Sequence, residues 1–75
     1  EFEGLVFGQA FKIIAAPTFA YREIYFNNHL VILAKGNRYP ESMIIMDTTL
    51  PASIVEALLV LAFIETEPMM GFKNL

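Results

Sequence analysis

The sequence predicts an α+β domain in which about four or five antiparallel strands wrap around one buried hydrophobic C-terminal helix. Three observations carry this prediction. From Ala57 to Ile64 the chain runs Ala-Leu-Leu-Val-Leu-Ala-Phe-Ile without a polar side chain, and a helix that is apolar all round must be covered on every side. Upstream, two runs rich in aromatic and β-branched residues flank an Asn-Asn pair, the pattern of a hairpin. Finally, the chain has 75 residues with no cysteine and one histidine. It therefore makes one small domain, spanning 1–75, without disulfide or zinc staples.

The elements follow in chain order. Gly4 to Ala16 is an apolar stretch in which Phe11, Ile13 and Ala15 alternate with Ala10, Lys12 and Ile14, which reads as a strand with one wetter face. Gly4 and Gly8 disfavour a helix there by about 1 kcal/mol each. Pro17 interrupts the stretch. Tyr21–Phe26 and Leu30–Ala34 form the hairpin around Asn27-Asn28-His29, because Asn tolerates the left-handed backbone that tight turns need. Lys35 to Ser42 is dense in turn residues and reads as a loop. Met43-Ile44-Ile45-Met46 is a further strand, apolar on both faces and so expected to be covered on both, with Asp47 ending it.

Thr48 and Thr49 offer oxygens for the first free helical amides, and Pro51 suits the opening turn. Ser53 and Glu56 have capping-box spacing. Thr49, Ser53 and Glu56 lie on one side, but Val60 and Phe63 continue that stripe. The wet face is thus lost after Glu56 and the helix is expected to enter the interior end-on. Glu65-Thr66-Glu67-Pro68 closes it. About 15 residues span ~22 Å, short of the ~30 Å hydrocarbon layer, so the expectation is a buried helix and not a transmembrane one. Met69-Met70-Gly71-Phe72 is expected to fold back on the body or to contact a partner.

Composition narrows the function classes. Hydrophobic residues make up 56% of the chain, above the ~45–50% of an ordinary domain, which points to a homo-oligomer or a partner chain covering the excess. Eight acidic and five basic residues leave a net charge of −3. With no basic run, nucleic-acid binding through phosphate neutralisation is not expected. Absent cysteines fit a reducing, cytoplasmic compartment. The chain opens Glu1-Phe2-Glu3, without Met, which is read as a fragment or one half of a larger assembly.

No residue set points to catalysis, to a metal or to a cofactor. His29 is the single imidazole, with Glu23 or Asp47 as candidates to orient it, but a hairpin turn is an ordinary place for a solvated polar residue. Ser42 and Ser53 lack an adjacent base, and Glu65 and Glu67 read as solvated carboxylates. The more informative set is Lys35, Arg38 and Arg22. In a hairpin-plus-loop arrangement they share one sheet end and offer charge-assisted hydrogen bonds to an anionic group such as a phospholipid headgroup. Tyr21, Tyr25 and Tyr39 suit interface anchoring or core packing equally. Met43, Met46, Met69 and Met70 read as core filler rather than a recognition surface.

From Arg22 to Glu67 the chain resembles the C-terminal part of the tubby-like β-barrel superfamily, in particular its LURP-one and phospholipid-scramblase-related branch. The likeness rests on Glu23-Ile24-Tyr25-Phe26-Asn27-Asn28-His29-Leu30-Val31-Ile32-Leu33-Ala34-Lys35 as a hairpin ending in a basic residue. Ser42-Met43-Ile44-Ile45-Met46-Asp47 is similar to the strand that follows. Leu50-Pro51 and Ala57 through Ile64 are similar to the terminal hydrophobic helix. The resemblance implies a helix threading a closed barrel of about twelve strands, of which this chain supplies a part. Apart from the resemblance, the absence of a catalytic set and the apolar excess point to a non-enzymatic interaction or scaffold role, with Lys35, Arg38 and Arg22 as the residues to touch anionic phospholipid. A small obligate subunit with no ligand of its own is the alternative.

Overall fold

In the computed structural model, residues 1–16, 21–36 and 39–64 are described. Five strands and one helix follow one another: β1 (Phe2–Val6), β2 (Gln9–Ala16), β3 (Tyr21–Phe26), β4 (His29–Lys35), β5 (Ser42–Ile45) and α1 (Ala52–Ile64). The strands pair antiparallel, each with its neighbour in sequence, in the order β1-β2-β3-β4-β5. A five-stranded antiparallel sheet with one helix is the predicted α+β class.

Two tight turns organise the sheet. Asn27 and Asn28 both have positive φ, 51° and 67°, and join Phe26 to its partner His29 as a two-residue hairpin requires. The first apolar stretch hides a second such turn. Phe7 and Gly8, at φ 51° and 76°, split it into β1 and β2, with Val6 opposite Gln9. Phe7 carries a side chain in the left-handed region, which costs about 1 kcal/mol. The two turns sit at the same end of the sheet and are tied by Asn27 Nδ2 donating to Gln9 Oε1 at 2.8 Å.

Register sorts the side chains. Phe2, Phe11, Ile13, Arg22, Ile24, Phe26, Ile32 and Ala34 share one face. Ile54, Leu58, Ala62 and Phe63 of α1 join them in a single core. A bulge beside Ile24/Tyr25 leaves Val31 as an extra residue on β4, and Val31 and Ile32 are both buried. The extra residue lets one strand turn two consecutive side chains inward. Phe2 and Phe11 meet edge to face, 5.4 Å between centroids, and close the core at the β1 side.

Among the described residues the helix is not sheathed. Ile54, Leu58 and Ala62 recur at every fourth residue and form the buried stripe, whereas Ser53, Glu56 and Val60 face outward, Val60 at 52% exposure. Geometry explains the departure from a wrapped helix. A sheet packed about 10 Å from a helix axis needs a circumference of roughly 60 Å, or on the order of twelve strands at ~4.8 Å spacing. Five strands cover less than half of that, so the sheet stays open and α1 lies along one face. At its start Asp47 accepts from Thr49 N at 3.0 Å and from the Thr49 hydroxyl. The threonine thus braces the turn before the helix, and the Pro51 carbonyl accepts the first helical bonds from Ile54 and Val55.

Candidate functional site

Strand β5 departs most from the sequence-based expectation. Met43, Ile44, Ile45 and Met46 are 42%, 61%, 38% and 56% exposed, although their two apolar faces had read as a strand covered on both sides. Position in the sheet is the reason: β5 is an edge strand, and α1 passes nearest β3. Met43 and Met46 are correspondingly surface residues and not core filler. Between β5 and α1 runs a cleft of about 530 Å³. Met43, Ile45, Leu50, Val55 and Leu59 line it, with Asp47 and Glu56 on its rim. Together with Val60 these residues form one apolar flank with an acidic edge.

The edge is also open along its backbone. Met46 N donates to Val31 O at 2.7 Å, so alternation points Ile44 and Ser42 at β4 and turns the main-chain groups of Met43 and Ile45 away from it. Among the described residues no strand pairs with that side.

The three predicted anion-binding residues separate. Arg22 lies opposite Ala34 and Lys35 lies opposite Tyr21, so the alternation of strand side chains sends them to opposite faces. Arg22 is 5% exposed. Its Nε donates to Ala62 O at 2.9 Å and its Nη1 to Gly36 O at 2.6 Å. The guanidinium also stacks 4.2 Å from the Phe63 ring centroid. α1 has no basic residue in its last turn, and the carbonyls there carry partial negative charge. Arg22 supplies the cation from β3. Lys35 is exposed, with its Nζ 5.7 Å from the Tyr21 ring centroid, and Arg38 lies outside the described residues. Lys12 sits over Tyr25 in the same way, at 5.2 Å, on the same outer face as Lys35.

His29 and Asp47 both line a second cleft, about 500 Å³, at the hairpin-turn end of the sheet, over Phe26, Val31 and Ile54. The hydrogen bonds from Thr49 hold the Asp47 carboxyl below its ordinary value, with a small contribution from the nearby His29 charge. Glu23 is on the outer face, where Tyr25 OH donates to its Oε1 at 3.4 Å, and cannot orient His29. No group of three or more metal-ligating side chains occurs among the described residues, and no helix among them is long and apolar enough to cross a membrane. Glu65, Glu67, Met69 and Met70 lie outside the described residues.

Set against known proteins, the chain matches no family model, no curated protein and no solved structure.

Proposed function

We propose that this chain is a non-enzymatic interaction module whose open sheet and half-covered helix are completed by a second polypeptide chain. The observation that supports it is the flank formed by β5 and α1. Its four consecutive apolar residues, exposed along a strand edge that no described strand pairs with, continue into an apolar cleft. Contiguous apolar surface of this kind marks association sites, because leaving it in water forfeits about 25 cal/mol for each Å². Further strands from a partner would extend the sheet around α1, the direction in which the tubby-like resemblance points. An obligate subunit of an oligomer and a scaffold module share this requirement.

Sedimentation equilibrium from about 1 to 100 µM tests it. Self-association or stable capture of a purified partner is expected, and it should be lost in a Met46→Lys/Val60→Lys variant that keeps its circular dichroism. A monodisperse monomer across the range overturns the obligate-subunit form. Anionic phospholipid is the second reading, supported by Lys35 beside the exposed Tyr21, an amphipathic pair suited to a membrane interface. The inward commitment of Arg22 leaves Lys35, with Lys12 over Tyr25 on the same outer face, to carry it among the described residues. Salt-sensitive binding to phosphoinositide vesicles, weakened by Lys35→Glu, is the expected result; its absence removes the lipid.

A further inference from the structure

We infer that the second chain is another copy of this one, and that the two copies join through β5 in antiparallel pairing centred on Ile44. The inference rests on reading the chain as an interaction module and names the partner and its geometry.

Natural sheets guard their edges with charge, proline, bulges or brevity. The other edge strand, β1, carries Glu3 and Gly4 within Phe2–Val6. By contrast Met43–Met46 has no charge and no proline, the β4–β5 register runs without a shift, and the four-residue length of β5 is its one guard. The outward main-chain groups of Met43 and Ile45 need a strand, and the side chains flanking them need one that is apolar on both faces. β5 itself meets both conditions.

Symmetry narrows the register. A two-fold axis perpendicular to the sheet pairs antiparallel strands and keeps each face on its own side, so a residue pairs only with one of the same facing. Centring on Ile44 places Ile44 against its own copy on the outer face and Met43 against the other copy's Ile45 on the helix face. Met43 and Ile45 then exchange about four main-chain hydrogen bonds across the seam. Both α1 clefts come to lie on the same side of the joined sheet, flanking the seam, so that Met43 and Ile45 of each copy fill the space between them. At their exposures, the four apolar residues of two copies bring on the order of 700 Å² to the seam, and the cleft walls raise this toward the ~1,000 Å² of the smallest specific interfaces. An interface of this size belongs to the weak, transient class. Glu41 of each copy approaches the Asp47 end of the other, so added salt should tighten it.

The test uses the absence of native cysteine. Across an antiparallel non-hydrogen-bonded pair the Cα atoms are about 4.5 Å apart, inside disulfide range. Ile44→Cys should therefore form a covalent dimer on mild oxidation at least about ten-fold faster than Leu5→Cys, a 72% exposed control on β1. Ile45→Pro removes an outward N–H without touching a bond to β4 and should weaken association about 100-fold with the fold intact. Equal oxidation rates for Ile44→Cys and Leu5→Cys, or unchanged sedimentation of Ile45→Pro, overturn the β5 seam. If the wild-type chain still associates in that case, the interaction-module reading stands alone. A wild-type chain monomeric to about 100 µM removes the homodimer and the obligate-subunit reading together.

Discussion

Replacing Arg22 with Met should be the most damaging change of a charged residue in this fold. Among the described residues Arg22 makes two charge-assisted hydrogen bonds, to Ala62 O and Gly36 O, and stacks on Phe63. Bonds to a charged donor contribute about 1.5–3 kcal/mol each, and a desolvated cation–π contact contributes up to about 2. Met refills most of the volume, so apolar packing is largely kept, and the loss is that of satisfying two carbonyls in a closed site. A net destabilisation of about 3 kcal/mol follows. A chain of 75 residues has roughly 4–11 kcal/mol in total, so a large fraction of the stability depends on this side chain. Urea unfolding at one fixed protein concentration should show the midpoint falling with the slope unchanged. The thermal midpoint should drop by roughly 12–24 °C. Arg22→Lys keeps the charge but loses the planar fork and the stacked geometry, and should recover less than half of the loss. A methionine variant within about 0.5 kcal/mol of wild type, or a lysine variant equal to it, would refute the assignment of Arg22 as the clamp between β3, the β4–β5 loop and the end of α1.

Gly36→Ala should destabilise by at least about 2 kcal/mol in the same assay, since Gly36 has φ 152° and an added Cβ would fall on Tyr39 O; because Gly36 O receives Arg22, the double variant with Arg22→Met should be less harmful than the two losses combined. Phe7→Asn should raise stability by about 0.5–1 kcal/mol by placing a residue tolerant of positive φ in the first turn, and an unchanged or lowered midpoint would count against strain at that position. Asp47 supplies a pH dependence. Its folded-state pKa is depressed by the Thr49 hydroxyl and amide, so its contribution is present above the ordinary value of 3.8 and fades as pH falls through the lowered folded value. Asp47→Asn should flatten that acid limb in a stability–pH series, and an unaltered limb would rule the bracing role out.

Much of the fold was legible because local chemistry and tertiary context agree. Asn27-Asn28 supplies the positive φ that the second hairpin uses, and the flanking runs are rich in the aromatic and β-branched residues that strands favour. The split of the first apolar stretch is not legible in sequence, because Phe7 is a poor residue for the left-handed region; the signal for it is Gly8 at its side. Arg22 lies in the expected strand but faces the core and not an anionic ligand. Its alternation with Ile24 and Phe26 already assigned it to their face, and that parity was the available clue. His29 and Asp47 share a cleft as their types allowed, while Glu23 is removed from them by the same alternation.

By itself the sequence determined that the runs around Asn27-Asn28 and Met43–Met46 become strands, where the Asn turn falls and that one apolar helix follows them, since these depend on backbone preference and on periods of two and about 3.6 residues. The tertiary structure alone decided what covers what. A strand apolar on both faces looks the same in sequence whether it lies at the centre or the edge of a sheet, and a fully apolar helix does not state how many strands surround it. Strand order makes β5 an edge, and five strands are too few to encircle α1. The apolar surface that local pattern assigned to the interior is therefore left facing outward, because burial is set by the number and placement of neighbours and not by the residue that needs them.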